Sequence, residues 1–397
     1  MSDITKSGFS RRSILKSGAA VAAASTIPTG WAIAQAKPVK IGLMLPYSGT
    51  FAKLGENITF AIELLIAEKG GKLGGREIQI VKLDDESKPE NAPQNADRLV
   101  KRDQVDVLIG TVHSGVQMGI HKVVKESGTL TIVPNAGNDV ITRAECAKNV
   151  FRTSFTNWQS AYGMGLALGK KGVKKVAWVT WDYAAGNDMG AGFKEGLQKS
   201  GGQVVQELKL PFPQTTFQPL LAQIPGLNVD AVGAFFAGGA AVQFVKEYAA
   251  AAIKAPLCGP GFLTEGTLAA QGASAEGIET ALHYGDGLDN PKNTAFRKAF
   301  NAKAGRDADV YAVQGYDAAQ LLAVGLEAVK GKIEDEAGLY KAMRAAKIDS
   351  PRGPISISPS QNVVHNIYLR KATGGQNKVI GIAAENLADP GTGCKLT

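Results

Sequence analysis

From Val39 onward, short apolar runs alternate with amphipathic segments almost without a break, and this alternation leaves the chain few possible architectures. Residues 39–46 read as a buried strand. Residues 57–69 follow as a helix with Ile58, Ala61, Ile62, Leu65 and Ile66 on one face. Strands at 78–83, 105–110 and 129–133 interleave with helices at 89–101 and 114–127. The pattern restarts after Asn157, with strands at 175–181, 203–210, 231–237 and 257–258 and helices at 186–200, 217–224, 239–252 and 264–271. Such alternation predicts parallel sheets covered on both faces, hence an α/β protein of two doubly wound, Rossmann-like lobes. Residues 291–347 read as almost wholly helical, and strands near 355–357, 367–371 and 379–382 close the chain. No low-complexity linker separates the lobes, so the expected hinge is three short ordered crossings, at 151–156, 282–288 and 352–358. The predicted partition gives 37–154 plus 286–354 to an N-terminal lobe and 155–285 plus 355–397 to a C-terminal lobe.

In open parallel sheets, ligands sit beyond the carboxyl ends of the strands, so the loops there hold the candidate site. In the first lobe these loops carry Tyr47, Ser48 and Phe51, then His113 and Ser114, then Asn135, Ala136 and Gly137. In the second they carry Trp181, Tyr183, Phe236, Gly238 and Phe262, with Tyr284 at the second crossing. Ser114 opens a helix, so its hydroxyl and the free amides behind it form an anion site, to which residues 135–137 add bare amides. This set suits a carboxylate held by dipoles rather than by arginine, although helix caps and turns use the same residue types. The aromatics offer a surface on which a flat ring can stack. Phe235 and Phe236 point to opposite faces if their strand continues, so only one can meet a ligand, and Phe236 is the one assigned.

Other chemistry finds little support. His113 and His121 lie eight apart on a helix pattern with no Cys or acidic pair to complete a metal site. Asp84-Asp85-Glu86 reads as a strand-end turn before Pro89. Gly186, Gly190 and Gly192 do not have dinucleotide-binding spacing, and no phosphate-binding loop, nucleophile elbow or zinc-protease motif occurs. No cofactor, metal or catalytic residue is therefore expected. The rival from another class is a secreted hydrolase using Ser114 with His113 or His121. Adjacent residues at a helix start rarely converge as nucleophile and base, and no third group is evident.

Ser10-Arg11-Arg12-Ser13-Ile14-Leu15-Lys16, the Ala-rich run that follows and Ala34-Gln35-Ala36 read as a twin-arginine export signal over 1–36, cleaved near Ala36. The apolar run is about half the ~20 residues a membrane span needs. A periplasmic protein is expected. The formal charge is +8, of which Lys6, Arg11, Arg12 and Lys16 against Asp3 supply three, leaving +5 of mixed-sign surface without a basic stripe. Nucleic-acid binding is not expected. Of three cysteines, Cys258 reads as a buried free thiol, while Cys146 and Cys394 lie in polar loops. A bond between those two would tie down the C-terminal tail, but spacing does not fix connectivity.

Several of these segments together resemble the type I periplasmic solute-binding proteins of ABC importers, in the branched-chain amino-acid receptor branch. Residues 39–49, Val-Lys-Ile-Gly-Leu-Met-Leu-Pro-Tyr-Ser-Gly, are similar to that branch's opening strand and loop. Leu73-Gly74-Gly75-Arg76 and Asp84-Asp85-Glu86-Ser87-Lys88-Pro89 are similar to its second-strand signature. Val150-Phe151-Arg152-Thr153 resembles its first crossing, and Asp182-Tyr183-Ala184-Ala185-Gly186 its D-Y-x-Y-G element. The resemblance covers essentially all of 37–397 and implies a ligand in the cleft between the lobes. It implies that Ser114 and the 135–137 amides hold a carboxylate. It also places Gly261, beside Phe262, where amino-acid receptors keep an acid for the α-ammonium. Losing a buried acid disfavours an amino acid unless Asp182 or Glu265 takes over. Ala185 stands where the family usually has Tyr, which widens the cleft. These departures suggest an aromatic or bulky carboxylate, benzoate-like or phenylpropenoate-like. The expected protein is a monomeric receptor that hands this ligand to the membrane subunits of an ABC permease. A branched-chain amino acid or small amide is the alternative ligand.

Overall fold

The computed structural model describes residues 37–396, and the expected export signal lies outside them. In chain order the elements of the first half are β1 (Val39–Leu45), α1 (Ala52–Glu68), β2 (Lys72–Leu73), β3 (Arg76–Asp84), α2 (Ala92–Asp97), β4 (Val107–Gly110), α3 (Ser114–Ser127), β5 (Leu130–Val133) and β6 (Val150–Arg152). Then come α4 (Asn157–Lys170), β7 (Lys175–Asp182), α5 (Ala184–Gln198), β8 (Gln203–Pro211), α6 (Gln218–Leu221), β9 (Ala231–Phe235), α7 (Gly238–Ala250), β10 (Leu257–Pro260), α8 (Leu268–Gln271) and β11 (Glu279–Leu282). The chain ends with α9 (Pro291–Ala304), α10 (Val310–Ala328), α11 (Glu336–Arg344), β12 (Lys347–Ile348), β13 (Ile355–Ile357), β14 (Val363–Thr373) and β15 (Gln376–Leu387).

The strands form two sheets. The first runs β2-β3-β1-β4-β5-β6, parallel except for the β2–β3 pair. The second runs β12-β13-β14-β11-β10-β9-β7-β8, with β15 added on β14. Its β8-β7-β9-β10-β11 portion is parallel, and the late strands join antiparallel. In each lobe the strand order reverses near the centre, between β1 and β4 and between β7 and β9. Those are the points where chain topology opens a crevice for a ligand. The chain passes between sheets three times: from β6 to α4, from β11 to α9, and from α11 to the β12–β13 pair. The molecule is thus an α/β protein of two doubly wound lobes joined by a three-crossing hinge.

Local chemistry explains the helix boundaries. α4 opens on a capping box in which Thr156 Oγ1 accepts from the Gln159 amide and the Gln159 side chain accepts from the Thr156 amide. Asn290 caps α9 ahead of Pro291, and Asp309 caps α10 by accepting from Ala312 N. α3 runs over the residues expected. α1 starts five residues earlier than expected, at Ala52. The expected helix at 264–271 shrinks to Leu268–Gln271.

Five elements went unread: β2, β6, β11, β12 and α4. The strands are short. α4 is buried nearly all round, so it lacks the amphipathic period that marks surface helices. It packs flat on α5 through glycines. A Cβ on Gly165 would collide with the Phe193 carbonyl, and one on Gly196 would collide with the Tyr162 carbonyl and sit 3.0 Å from Leu166 N. Cys146 and Cys394 are bonded to each other, which answers the open pairing, and Cys258 is free and buried. No helix among the described residues is long and apolar enough to cross a membrane.

The glycine contact yields a direct expectation. Gly196→Ala should lower the free energy of unfolding by about 1–3 kcal/mol, through forced separation of α4 and α5. Gly287→Ala, with open space around the added carbon, should change it by less than ~0.5 kcal/mol. Urea denaturation of the two variants measures the difference.

Candidate functional site

A small cavity lies where the strand-end loops of the two sheets meet. From the first-lobe side it is lined by Phe51, Leu54, Val112, Ser114, Asn135, Gly137 and Tyr311, with Phe155 and Asn157 from the first crossing. From the second-lobe side come Tyr183, Ala185, Met189, Phe235, Ala237 and Phe262. No acidic or basic side chain is among them. Aromatic and small apolar groups dominate, with polar atoms gathered at few points.

The main polar cluster sits on the loops after β4 and β5. His113, not Ser114, is the cap of α3: its Nδ1 accepts from the Gly115 and Val116 amides at 3.1 and 3.3 Å. Those two amides are therefore spent inside the protein, and the expectation that they lie free for an anion does not hold. Ala136 is likewise unavailable, since its amide donates to Thr111 O at 2.9 Å and its side chain does not reach the cavity. What remains is the Ser114 amide and hydroxyl and the Gly137 amide. Neither amide donates to a protein acceptor among the described residues. Ser114 Oγ lies 3.5 Å from Asn157 Nδ2, and Asn157 Oδ1 is buried without a partner. Asn135 Nδ2 donates to Gln314 Oε1 at 2.6 Å, which fixes the loop against α10. Gly137 must be glycine, because a Cβ there would strike Asn157 Oδ1 and lie 2.5 Å from the Phe155 ring.

Around this cluster the rings form a continuous wall. Tyr183 lies nearly parallel to Phe235 at 6.3 Å between centroids, Phe235 meets Phe262 edge-on at 6.1 Å, and Phe262 packs on Phe155 at 4.8 Å. At the rim, the second lobe's Phe212 lies 5.5 Å from Phe51 and 4.7 Å from His113, both of the first lobe.

Of the residues singled out from sequence, Phe51, Ser114, Asn135, Gly137, Tyr183 and Phe262 meet at the cavity. The others do not line it. Tyr47 turns outward and bonds Thr59 Oγ1 at 2.8 Å, and Ser48 is exposed. Phe236 packs into the second-lobe core against Phe217 and Phe244 at 4.9 and 4.6 Å. Phe235 takes the place assigned to it, because β9 ends there and the alternation puts that ring on the open side. Trp181 is fully buried behind the wall, edge-on to Phe51 at 6.2 Å and to Tyr183 at 6.1 Å, with its Nε1 donating to Gln214 O. His113 is one layer back, 5.0 Å from Tyr183. Gly238, at φ 59°, lets α7 approach the loop after β1, where a Cβ would come 2.5 Å from Thr50 O. Tyr284 is buried at the second crossing and bonds Asn293. Leu54, Val112, Phe155, Asn157, Met189, Phe235, Ala237 and Tyr311 were missed. Phe155 and Asn157 lay in a crossing, and Tyr311 lies some 170 residues beyond the nearest strand-end loop of its lobe.

The proposed substitute acids are both committed elsewhere. Glu265 is buried, pairs with Arg370 Nη1 at 2.5 Å and accepts from Val310 N at 2.7 Å. Asp182 is exposed and accepts from Asn187. Gly261 itself faces Arg370 and Leu282, where no larger side chain fits without a shift. Asp188 touches the cavity wall only through Asn157, from which it accepts at 3.1 Å.

Burial pushes the His113 ring down to about 4, from the ordinary 6.5. The folded protein thus keeps it neutral where the unfolded chain takes up a proton, so its contribution is present above about pH 6.5 and lost as pH falls toward 4. His113→Asn retains a capping side chain without the titration. Between pH 7.5 and pH 5, the stability of the wild type relative to this variant should fall by roughly 2 kcal/mol, read from urea midpoints at the two pH values.

The same architecture recurs among known proteins. A solute-binding protein of an R. palustris ABC transporter, solved in complex with benzoate, is 51% identical and superimposes with a TM-score of 0.89 over 90% of this chain and 99% of its own. A second, from Rhodopseudomonas palustris BisB5 in complex with 3,4-dihydroxybenzoic acid, is 33% identical with a TM-score of 0.84, covering 89% of this chain and 99% of that one. The Leu/Ile/Val-binding protein homolog 6 of Brucella melitensis is 33% identical over 373 residues, 90% of this chain and 94% of its own length. The periplasmic binding protein family model matches residues 38–377, so with two lobes, three crossings and a cavity at the strand ends, this chain belongs to that family.

Proposed function

We propose that the protein is an extracytoplasmic solute receptor that binds an aromatic carboxylate of the benzoate type and delivers it to an ABC permease. The observation that carries this reading is the cavity's composition: hydroxyl and amide donors at one place, rings and small apolar groups around them, and no charged side chain on the wall. A carboxylate fits such donors, because charge-assisted hydrogen bonds contribute ~1.5–3 kcal/mol each. Burying a benzene ring's ~150–200 Å² supplies about 4–5 kcal/mol more before ordering costs. Together these reach the roughly 8 kcal/mol of micromolar binding. An amino acid's ammonium would find no carboxylate at the wall, which disfavours the branched-chain alternative. The benzoate and dihydroxybenzoate complexes of the two palustris proteins support the same reading by likeness.

The remaining parts of the reading follow from it. Residues 37–154 with 286–354 and 155–285 with 355–397 act as two closing bodies, and the ligand touches both, which is what shifts an open–closed equilibrium. The protein works as a monomer and does no catalysis. Export uses the twin-arginine signal, with cleavage near Ala36.

Isothermal titration calorimetry should give micromolar binding of benzoate-type acids and no binding of leucine; leucine binding with no aromatic-acid binding would refute the assignment. Ser114→Ala should weaken the aromatic acid about tenfold. Ala185→Tyr should weaken it at least ~100-fold by filling the space the ring needs, and, because Ala185 is buried, the overpacking should also lower the unliganded melting midpoint.

A further inference from the structure

Among the described residues, Tyr311 is one of two cavity-lining residues, with Asn157, among the several buried groups that have an unpaired polar atom. It is 1% exposed and lines the cavity, yet its hydroxyl has no hydrogen-bond partner. Leaving a buried hydroxyl unpaired costs about 1–3 kcal/mol. Burial also raises its pKa well above the ordinary phenol value, so the group is a neutral donor and acceptor at any physiological pH. Nothing in the carboxylate reading above uses it.

Its placement separates it from the Ser114 cluster. Tyr311 belongs to α10, while Ser114 and Gly137 sit on the loops after β4 and β5. The contact between α10 and those loops runs through Gln314, which bonds Asn135. The Tyr311 ring packs on Phe262 of the second lobe, at 6.3 Å between centroids. Ser114 and Gly137 already offer a carboxylate's two oxygens three donors, two amides and a hydroxyl.

We infer that the Tyr311 hydroxyl is a specificity-determining contact for a polar substituent on the ligand's ring, so that the receptor selects hydroxylated benzoates over benzoate itself. The inference rests on the aromatic-carboxylate reading and deepens it. A site built around a buried hydrogen-bonding group discriminates against ligands that leave that group unpaired.

The test is calorimetric titration of benzoate, 3-hydroxybenzoate and 4-hydroxybenzoate into the wild type and into Tyr311→Phe, with circular dichroism and melting midpoints confirming that the isosteric variant is folded. At least one hydroxy acid should bind the wild type about tenfold more tightly than benzoate. In Tyr311→Phe that preference should vanish, through loss of hydroxy-acid affinity with benzoate unchanged. Equal or tighter benzoate binding by the wild type overturns the inference while leaving the aromatic-acid assignment intact. So does a uniform loss for all three acids in Tyr311→Phe, which would put the phenol among the carboxylate's donors. Failure of all three acids to bind the wild type overturns both.

Discussion

Three buried arginines hold the crossings together and anchor the loops beside Gly137 and Phe262. Arg352 pairs with Asp317 at 2.9 Å inside the protein and donates to the carbonyls of Thr153 and Ser154. One guanidinium thus ties α10 and the third crossing to the first. Arg370 pairs with Glu265 and donates to the carbonyls of Tyr284 and Gly261, which anchors the second crossing and the loop after β10. Arg152 ends β6 and donates to Asn138 O at 2.6 Å and Thr142 Oγ1 at 2.9 Å, fixing the segment just after Gly137. A guanidinium suits this work because its five donors satisfy several carbonyls at once in fixed geometry. Buried ion pairs add little net stability, but removing one partner leaves an uncompensated charge.

This distribution of charge explains the chemistry of the cavity. The interior contains charged groups, yet those around the crossings are held by one another or by neutral oxygens: Arg352 pairs with Asp317, Arg370 with Glu265, and Arg152 donates to Asn138 O and Thr142 Oγ1. At the loops after β4 and β5 the cavity wall is left with dipoles: two unspent amides and a serine hydroxyl. In a site of low polarity such dipoles are strong partners for an anion and poor ones for a cation. Glu265 shows the principle most clearly. It lies near the loop where amino-acid receptors would need an acid, but Arg370 and the Val310 amide already consume it.

Much of the fold was legible because strand and helix periods differ and the chain switches between them cleanly. α3 and β13 fall where the periodicity puts them. α4 did not, because a helix buried on all sides and rich in glycine carries no polar stripe to read. The site was half legible. Loops after strands announced Ser114, Asn135, Gly137, Tyr183 and Phe262. The Phe235–Phe236 pair exposed the limit: alternation says that one ring faces the cavity, but only the end of β9 decides which. His113 shows another, since a ring nitrogen does the capping usually given to a hydroxyl or carboxylate. Tyr311 carried no local signal, because only the return of the chain through the second crossing brings α10 to the cavity.

The central claim is that an organic anion rests on uncharged donors between the lobes. A crystal structure of the protein with benzoate tests it most directly. The account predicts the carboxylate within hydrogen-bond distance of Ser114 and the Gly137 amide, with the ring against Tyr183, Phe235 and Phe262. A carboxylate seated on an arginine or lysine, or a zwitterion retained in the cavity with its ammonium on a protein carboxylate, would contradict it.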